Sequence, residues 1–243
     1  MSRPPIKAYR KFYSKRLDGQ DNGFGTREVD FDQSLAALGV GLRRGGRVLF
    51  ANLNFELAPG EFLLITGPNG AGKTSLLRTI PGLLRLSEGA FTASSPATAS
   101  KTAAPPSPEA IHFIGHLNAI KPQLTGSENL SFWRDFLAAP ASGAQPGVEQ
   151  ILEFLDLSHL AQVPVAYFSA GQSRRLAMLR LLVAPRAFWL LDEPMNALDG
   201  ASRSKISQLI DQHRGSGGIV IAASHDEIGA KPSKHLSLGN ALP

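Results

Sequence analysis

Cysteine is absent from all 243 residues. Disulfides, thiolate metal sites and a cysteine nucleophile are thereby excluded, which suits a reducing compartment. No apolar run approaches the roughly 20 residues that a membrane-spanning helix needs. The basic N-terminus lacks the apolar stretch of a secretory signal. A soluble, intracellular protein is expected. Internal repeats and heptads are also missing. Acid is missing from residues 1–17, which hold Arg3, Lys7, Arg10, Lys11, Lys15 and Arg16. The net charge is +5, so without these six cations the remainder is −1. The basicity belongs to a tail and the body is near neutral, so no nucleic-acid partner is expected.

What is present is organised in zones. Residues 1–34 are polar and weakly periodic and read as a disordered basic extension. A folded domain is expected over 35–235, with a tail at 236–243. Within it, 93–109 is low-complexity, rich in Pro, Ser and Ala, and reads as a flexible surface loop. Short apolar runs at 62–66, 111–115, 188–191 and 219–223 read as buried strands. Thr125 and Glu128 have the spacing of a capping box. Helical periodicity follows it, and a helical subdomain is expected at about 117–182. Strands alternating with helices predict an α/β fold with a mostly parallel sheet and this helical subdomain inserted.

The chemistry concentrates in a few motifs. Gly67-Pro68-Asn69-Gly70-Ala71-Gly72-Lys73-Thr74 fits the phosphate-binding loop G-x-x-x-x-G-K-[ST], between a strand and a helix that Ser75 opens. Its glycines let backbone N–H groups point at phosphate oxygens, and the helix terminus adds partial positive charge. Lys73 is expected on the β- and γ-phosphates, and the Thr74 hydroxyl on Mg²⁺. Leu190-Leu191-Asp192-Glu193 ends an apolar strand in acid. Asp192 can hold Mg²⁺ through water, and Glu193 can orient or deprotonate an attacking water. Ser169 is a good N-cap for a helix whose first turn, Ala170-Gly171-Gln172, is small enough to expose N–H groups to an anion.

Taken in this order, Ser169-Ala170-Gly171-Gln172 resembles the L-S-G-G-Q signature of the ATP-binding cassette (ABC) ATPases, about twenty residues ahead of Asp192. The resemblance covers roughly 35–230 and implies the phosphate-loop NTPase fold of ABC ATPases, with ATP and Mg²⁺ as cofactors. It implies that Asn196-Ala197-Leu198-Asp199 is the D-loop and that His225 contacts the γ-phosphate. His116 falls at the position of a glutamine that bonds the attacking water or a metal-bound water, a bond imidazole can also make. Arg44 falls where an aromatic ring stacks on adenine, as a guanidinium plane also can. The resemblance further implies a head-to-tail homodimer, each ATP lying between Lys73 of one copy and Ser169, Gly171 and Gln172 of the other.

Narrower markers run through 114–122, through Leu124-Thr125 with Glu128-Asn129-Leu130 and Phe132-Trp133, and through Arg44-Gly45-Gly46-Arg47-Val48-Leu49-Phe50. Together they resemble the ATP-binding subunits of the haem exporter of bacterial cytochrome c maturation. That implies ATP-driven haem export or delivery, permease subunits as partners, and a peripheral place on the cytoplasmic face of the inner membrane. The extension 1–34, the segment 93–109 and Met195 depart from the family pattern. Direct haem binding by this chain is not expected, since a c-type haem motif needs cysteine. Three alternatives stay open: a transporter ATPase for another cargo, a soluble ABC protein acting on ribosomes or DNA, and a phosphate-loop kinase. The single cassette and neutral body speak against the second. Ser169–Gln172 and Glu193 speak against the third.

Overall fold

Two kinds of strand pairing organise the chain in the computed structural model, which describes residues 29–95, 104–137 and 146–239. The strands are β1 (Ser34–Arg44), β2 (Arg47–Leu57), β3 (Phe62–Thr66), β4 (Glu88–Ser94), β5 (Ile111–Ile114), β6 (Phe188–Asp192), β7 (Ile219–Ala223) and β8 (Lys234–Ser237). The helices are α1 (Lys73–Thr79), α2 (Gly126–Phe136), α3 (Val148–Phe154), α4 (Ala170–Met178), α5 (Arg180–Val183) and α6 (Gly200–Gly215). Strands β2, β1 and β4 form an antiparallel sheet in that order. Strands β5, β6, β7, β3 and β8 form a second sheet in which each pairing is parallel.

The parallel sheet takes the apolar runs. Every residue of β6 and β7 is buried, as near-continuous apolar strands in a doubly covered sheet must be. Because the strands run in one direction, the carboxyl ends of β3, β6 and β7 lie at one edge, where ligands of open parallel sheets bind. The antiparallel sheet was not foreseen. Strand β2 has few buried positions, so its sequence carries no clean period for either kind of sheet.

The described residues divide into two compact units. One holds Asp30–His116, Arg186–Met195 and the chain from His213 onward, which includes both sheets. The other holds Leu117–Pro185 and Asn196–Gln212, so it takes in a stretch beyond the expected 117–182. In this second unit α2 packs against α3 and α5. The capping box at the start of α2 is formed: Thr125 N–H donates to Glu128 Oε2 at 2.8 Å, and Glu128 N–H to Thr125 Oγ1 at 3.2 Å. Buried Asn129 ties down the preceding turn, accepting from Lys121 N–H at 2.8 Å and donating to the Leu124 carbonyl at 3.1 Å.

Three expected boundaries move. The extension was read to 34, but Phe31 is already buried against the ring of His213, 5.9 Å away, and β1 begins at Ser34. The flexible loop was read from 93 to 109, but β4 continues to Ser94 and a turn capped by Ser107 covers Pro108–Ala110. The tail was read from 236, but β8 runs to Ser237 and buried Leu238 donates its N–H to the Thr66 carbonyl at 2.8 Å. Around residues 31, 94 and 238 a long-range contact holds a stretch whose composition alone reads as loop, and at 108–110 a local cap does. The rest of those segments, 1–28, 96–103 and 240–243, lies outside the described residues.

Candidate functional site

The site is assembled where β3, β6 and β7 end. Residue 67 must turn the chain sharply out of β3. Gly67 has φ 138°, and a Cβ there would stand 2.1 Å from the Leu238 carbonyl oxygen, so only glycine fits. The loop closes on itself through Ala71 N–H to the Pro68 carbonyl at 3.2 Å. Helix α1 then starts at Lys73, two residues before the expected Ser75, with Gly72 at the cap and no side chain capping it.

Lys73 is buried. Its Nζ donates to the Gly67 carbonyl at 2.7 Å and the Pro68 carbonyl at 3.2 Å, and lies 2.8 Å from His225 Nε2. The ammonium is thus surrounded by neutral acceptors rather than a carboxylate, which leaves its charge available to an anion. Thr74 donates its hydroxyl to Asp192 Oδ1 at 3.0 Å. Asp192 is the buried last residue of β6. A hydroxyl and a carboxylate side by side are hard oxygen donors of the kind Mg²⁺ takes alongside substrate phosphates.

Glu193 follows immediately, with φ 48°. That conformation is costly for a residue with a Cβ, by about 1–3 kcal/mol. A bond from Glu193 N–H to the Ala223 carbonyl at 2.8 Å holds it there. The carboxylate accepts from His225 N–H at 3.4 Å, and its other oxygen is 3.9 Å from His225 Nε2. His225 stands just past β7, anchored through Ser224, whose N–H donates to the Ile65 carbonyl at 3.2 Å. The imidazole is also 2.9 Å from Asn69 Oδ1. Nε2 can serve only one neighbour at a time: unprotonated it accepts from Lys73, protonated it donates to Asn69. Both neighbours of Nε2 belong to the phosphate loop or the helix that follows it.

The expected residues divide by location. Lys73, Thr74, Asp192, Glu193, His225 and Asn69 meet at this edge. His116 is exposed two residues beyond β5, and among the described residues no hydrogen bond ties it to the others. Arg44 is exposed at the turn between β1 and β2. Ser169, Gly171 and Gln172 belong to the second unit. There Ser169 and Gln172 form a reciprocal capping box, with Ser169 N–H donating to Gln172 Oε1 at 2.8 Å and Gln172 N–H to Ser169 Oγ at 3.2 Å. A Cβ on Gly171 would stand 2.9 Å from the Ala197 carbonyl oxygen, so this glycine allows the 196–199 segment to approach the start of α4. Asp199 in turn caps α6 by accepting from Ser202 N–H at 2.7 Å. That bond holds the Asp199 carboxyl below its ordinary range. Sequence reading missed Leu238 as the wall behind Gly67. It had no signal, because the contact joins β3 to a residue near the far end of the chain.

The family model described as ABC transporter matches residues 50–196. The chain is 47% identical over 195 residues to a cytochrome c biogenesis ATP-binding export protein CcmA of Rhodopseudomonas palustris, covering 79% of this chain and 92% of that one. It is 42% identical over 204 residues to the protein of the same description from Agrobacterium fabrum, covering 84% and 94%. Among solved structures, a putative ABC transporter ATP-binding protein from Pyrococcus furiosus has a TM-score of 0.69 at 21% identity, covering 84% of this chain and 97% of that one. A dimeric, post-hydrolysis ATP-binding cassette bound to ADP and Pi has a TM-score of 0.68 at 24% identity, covering 84% and 94%. These two likenesses establish the fold.

Proposed function

The chain belongs to the ABC transporter family, among its cytochrome c biogenesis ATP-binding export proteins, and from that premise we propose how its residues carry the work. It is the ATP-hydrolysing subunit of an export complex serving cytochrome c biogenesis. The observation that carries the site assignment is the single connected group of Lys73, Asn69, His225 and Glu193 beside Thr74 and Asp192.

ATP presents its phosphates to residues 67–75. Lys73 exchanges the carbonyls of Gly67 and Pro68 for phosphate oxygens, a stronger, charge-assisted bond. Thr74 and Asp192 would hold Mg²⁺, which would supply positive charge against the phosphates. Glu193 orients the attacking water and takes its proton. His225 turns from Lys73 to the γ-phosphate, and His116 supports the water. Arg44 receives the adenine.

Two copies face each other, and Ser169, Gly171 and Gln172 of the second copy close over the γ-phosphate. ATP then favours the closed pair and hydrolysis releases it. The stretch 35–235 acts as one cassette, and its 117–182 part relays the motion to integral-membrane permease subunits. Among the described residues no helix is long and apolar enough to cross a membrane. By likeness to the export-protein relatives we place the chain peripherally on the cytoplasmic face, with haem as cargo.

The test has two arms. Glu193→Gln with ATP converts monomer to dimer in native mass spectra, and Lys73→Ala does not. An unchanged monomer in the Glu193→Gln sample rejects the closed-pair mechanism. Deleting the gene abolishes covalent haem staining of c-type cytochromes. Normal staining removes haem as the cargo and leaves the ATPase assignment standing.

A further inference from the structure

Strand pairing sets Arg44 directly opposite Arg47 beside the β1–β2 turn, and Arg43 opposite Val48. The turn itself is Gly45–Gly46, both at positive φ (56° and 76°), as a two-residue hairpin requires. Opposed residues project to one face of the sheet, with Cβ atoms about 5 Å apart. The ladder then skips a residue: Leu42 is opposite Phe50, so Leu49 is the extra one. A bulge re-aims side chains, and here both neighbours turn to the phosphate loop. A Cβ on Gly72 would stand 3.2 Å from Leu49 Cβ and 3.3 Å from Phe50 Cδ1. Arg47, two residues before Leu49, lies on Leu49's face, and Arg44 shares that face. Arg43 lies on the other.

The Arg44 and Arg47 side chains therefore leave the ladder on the phosphate-loop side of the hairpin. Both are exposed, and neither makes a hydrogen bond or ion pair among the described residues. Like charges opposed across a ladder repel, a cost that a polarisable, acceptor-rich ligand between them relieves.

We infer that Arg44 and Arg47 jointly form the nucleobase subsite, and that they read the base by hydrogen bonds as well as by stacking, so the site takes guanine nucleotides alongside adenine ones. The inference rests on the ATP-hydrolysing reading above. A guanidinium has donors only. Guanine N7 and O6 are adjacent acceptors that one fork matches bidentately, whereas adenine offers N7 beside an N6 donor. One arginine plane stacks on the ring and the other reaches this edge. An aromatic ring in their place would stack on either base without reading that edge.

The test uses the full chain and measures competition of GTP and of ATP against a fluorescent ATP analogue, with phosphate release from each nucleotide alongside. GTP competes within about ten-fold of ATP, and Arg47→Ala lowers GTP binding relative to ATP by about ten-fold. Arg47→Lys, which keeps the charge and loses the fork, moves the ratio the same way. Arg43→Ala, which removes the same charge from the opposite face, leaves it unchanged. A wild-type preference for ATP of about a hundred-fold or more, a ratio unmoved by both Arg47 variants, or an equal shift in Arg43→Ala overturns the inference. Binding without Lys73-dependent hydrolysis rejects the ATPase reading while the base ratio stays readable. Binding of neither nucleotide rejects both.

Discussion

The two ends of β7 each carry a histidine, and the two are used in opposite ways. At the carboxyl end, His225 is half-exposed and bonded among Lys73, Asn69 and Glu193. At the amino end, His213 is wholly buried. Its ring lies flat on Trp189, 3.8 Å between centroids, with the edge of Phe31 beyond. The chain folds back so tightly that a Cβ on Gly218 would stand 2.2 Å from the ring. Burial, with His112 as a further cause, lowers the His213 pKa to about 3. One histidine is kept half-exposed among polar partners. The other is kept dry and neutral, as a flat filler between strands. The same side chain joins a polar cluster or packs in the core according to what surrounds it.

The largest effect is expected where the wet end loses its charge. Lys73→Ala lowers steady-state phosphate release by about 10²–10³-fold, with a thermal melt close to wild type. If the melt collapses instead, the wet end is structural too and the contrast fails. At the dry end, Gly218→Ala pushes a methyl into the His213 ring. It costs about 3 kcal/mol of stability, read as a lower urea midpoint, while ATP binding per folded molecule is retained.

Acid separates the two ends more finely. Below the ordinary histidine pKa of about 6.5 the unfolded chain binds a proton at residue 213 that the folded chain refuses until pH falls to about 3. The contribution of His213 is therefore fully present above pH ~6.5 and is lost progressively as pH falls below it. At pH 5 this amounts to about 2 kcal/mol. His213→Phe flattens the slope of stability between pH 7 and 5, read from urea midpoints at each pH. A slope unchanged from wild type in His213→Phe would show that burial at the amino end does not keep the proton off that ring.

Much of the wet end was legible in the sequence, because its signals are local. Residues 67–74 carry their own glycines and lysine, Asp192 ends an apolar run, and Thr125 with Glu128 spells out its cap. The start of α4 was read as a capped helix, and Ser169 with Gln172 closes that cap. The dry end was not legible. His213 lies in a polar helical stretch, and its burial depends on Phe31, Trp189 and Gly218, which come from separate parts of the chain. Leu238 behind Gly67 and the bulge at Leu49 were hidden for the same reason, since each is defined by a partner strand rather than by its neighbours in sequence.

By itself the sequence determined the short-range chemistry: which turns need glycine, which residues cap helices, which runs must be buried, and which groups can meet a phosphate. The tertiary structure decided which of those groups share a site. Parallel pairing in the order β5, β6, β7, β3, β8 brings the carboxyl ends of strands distant in the chain to one edge. It leaves Lys73, Asp192, Glu193 and His225 there and His213 at the other end. Hydrogen bonds and desolvation act through space over a few ångströms, so the state of a histidine follows from the strands that flank it and not from its place in the chain.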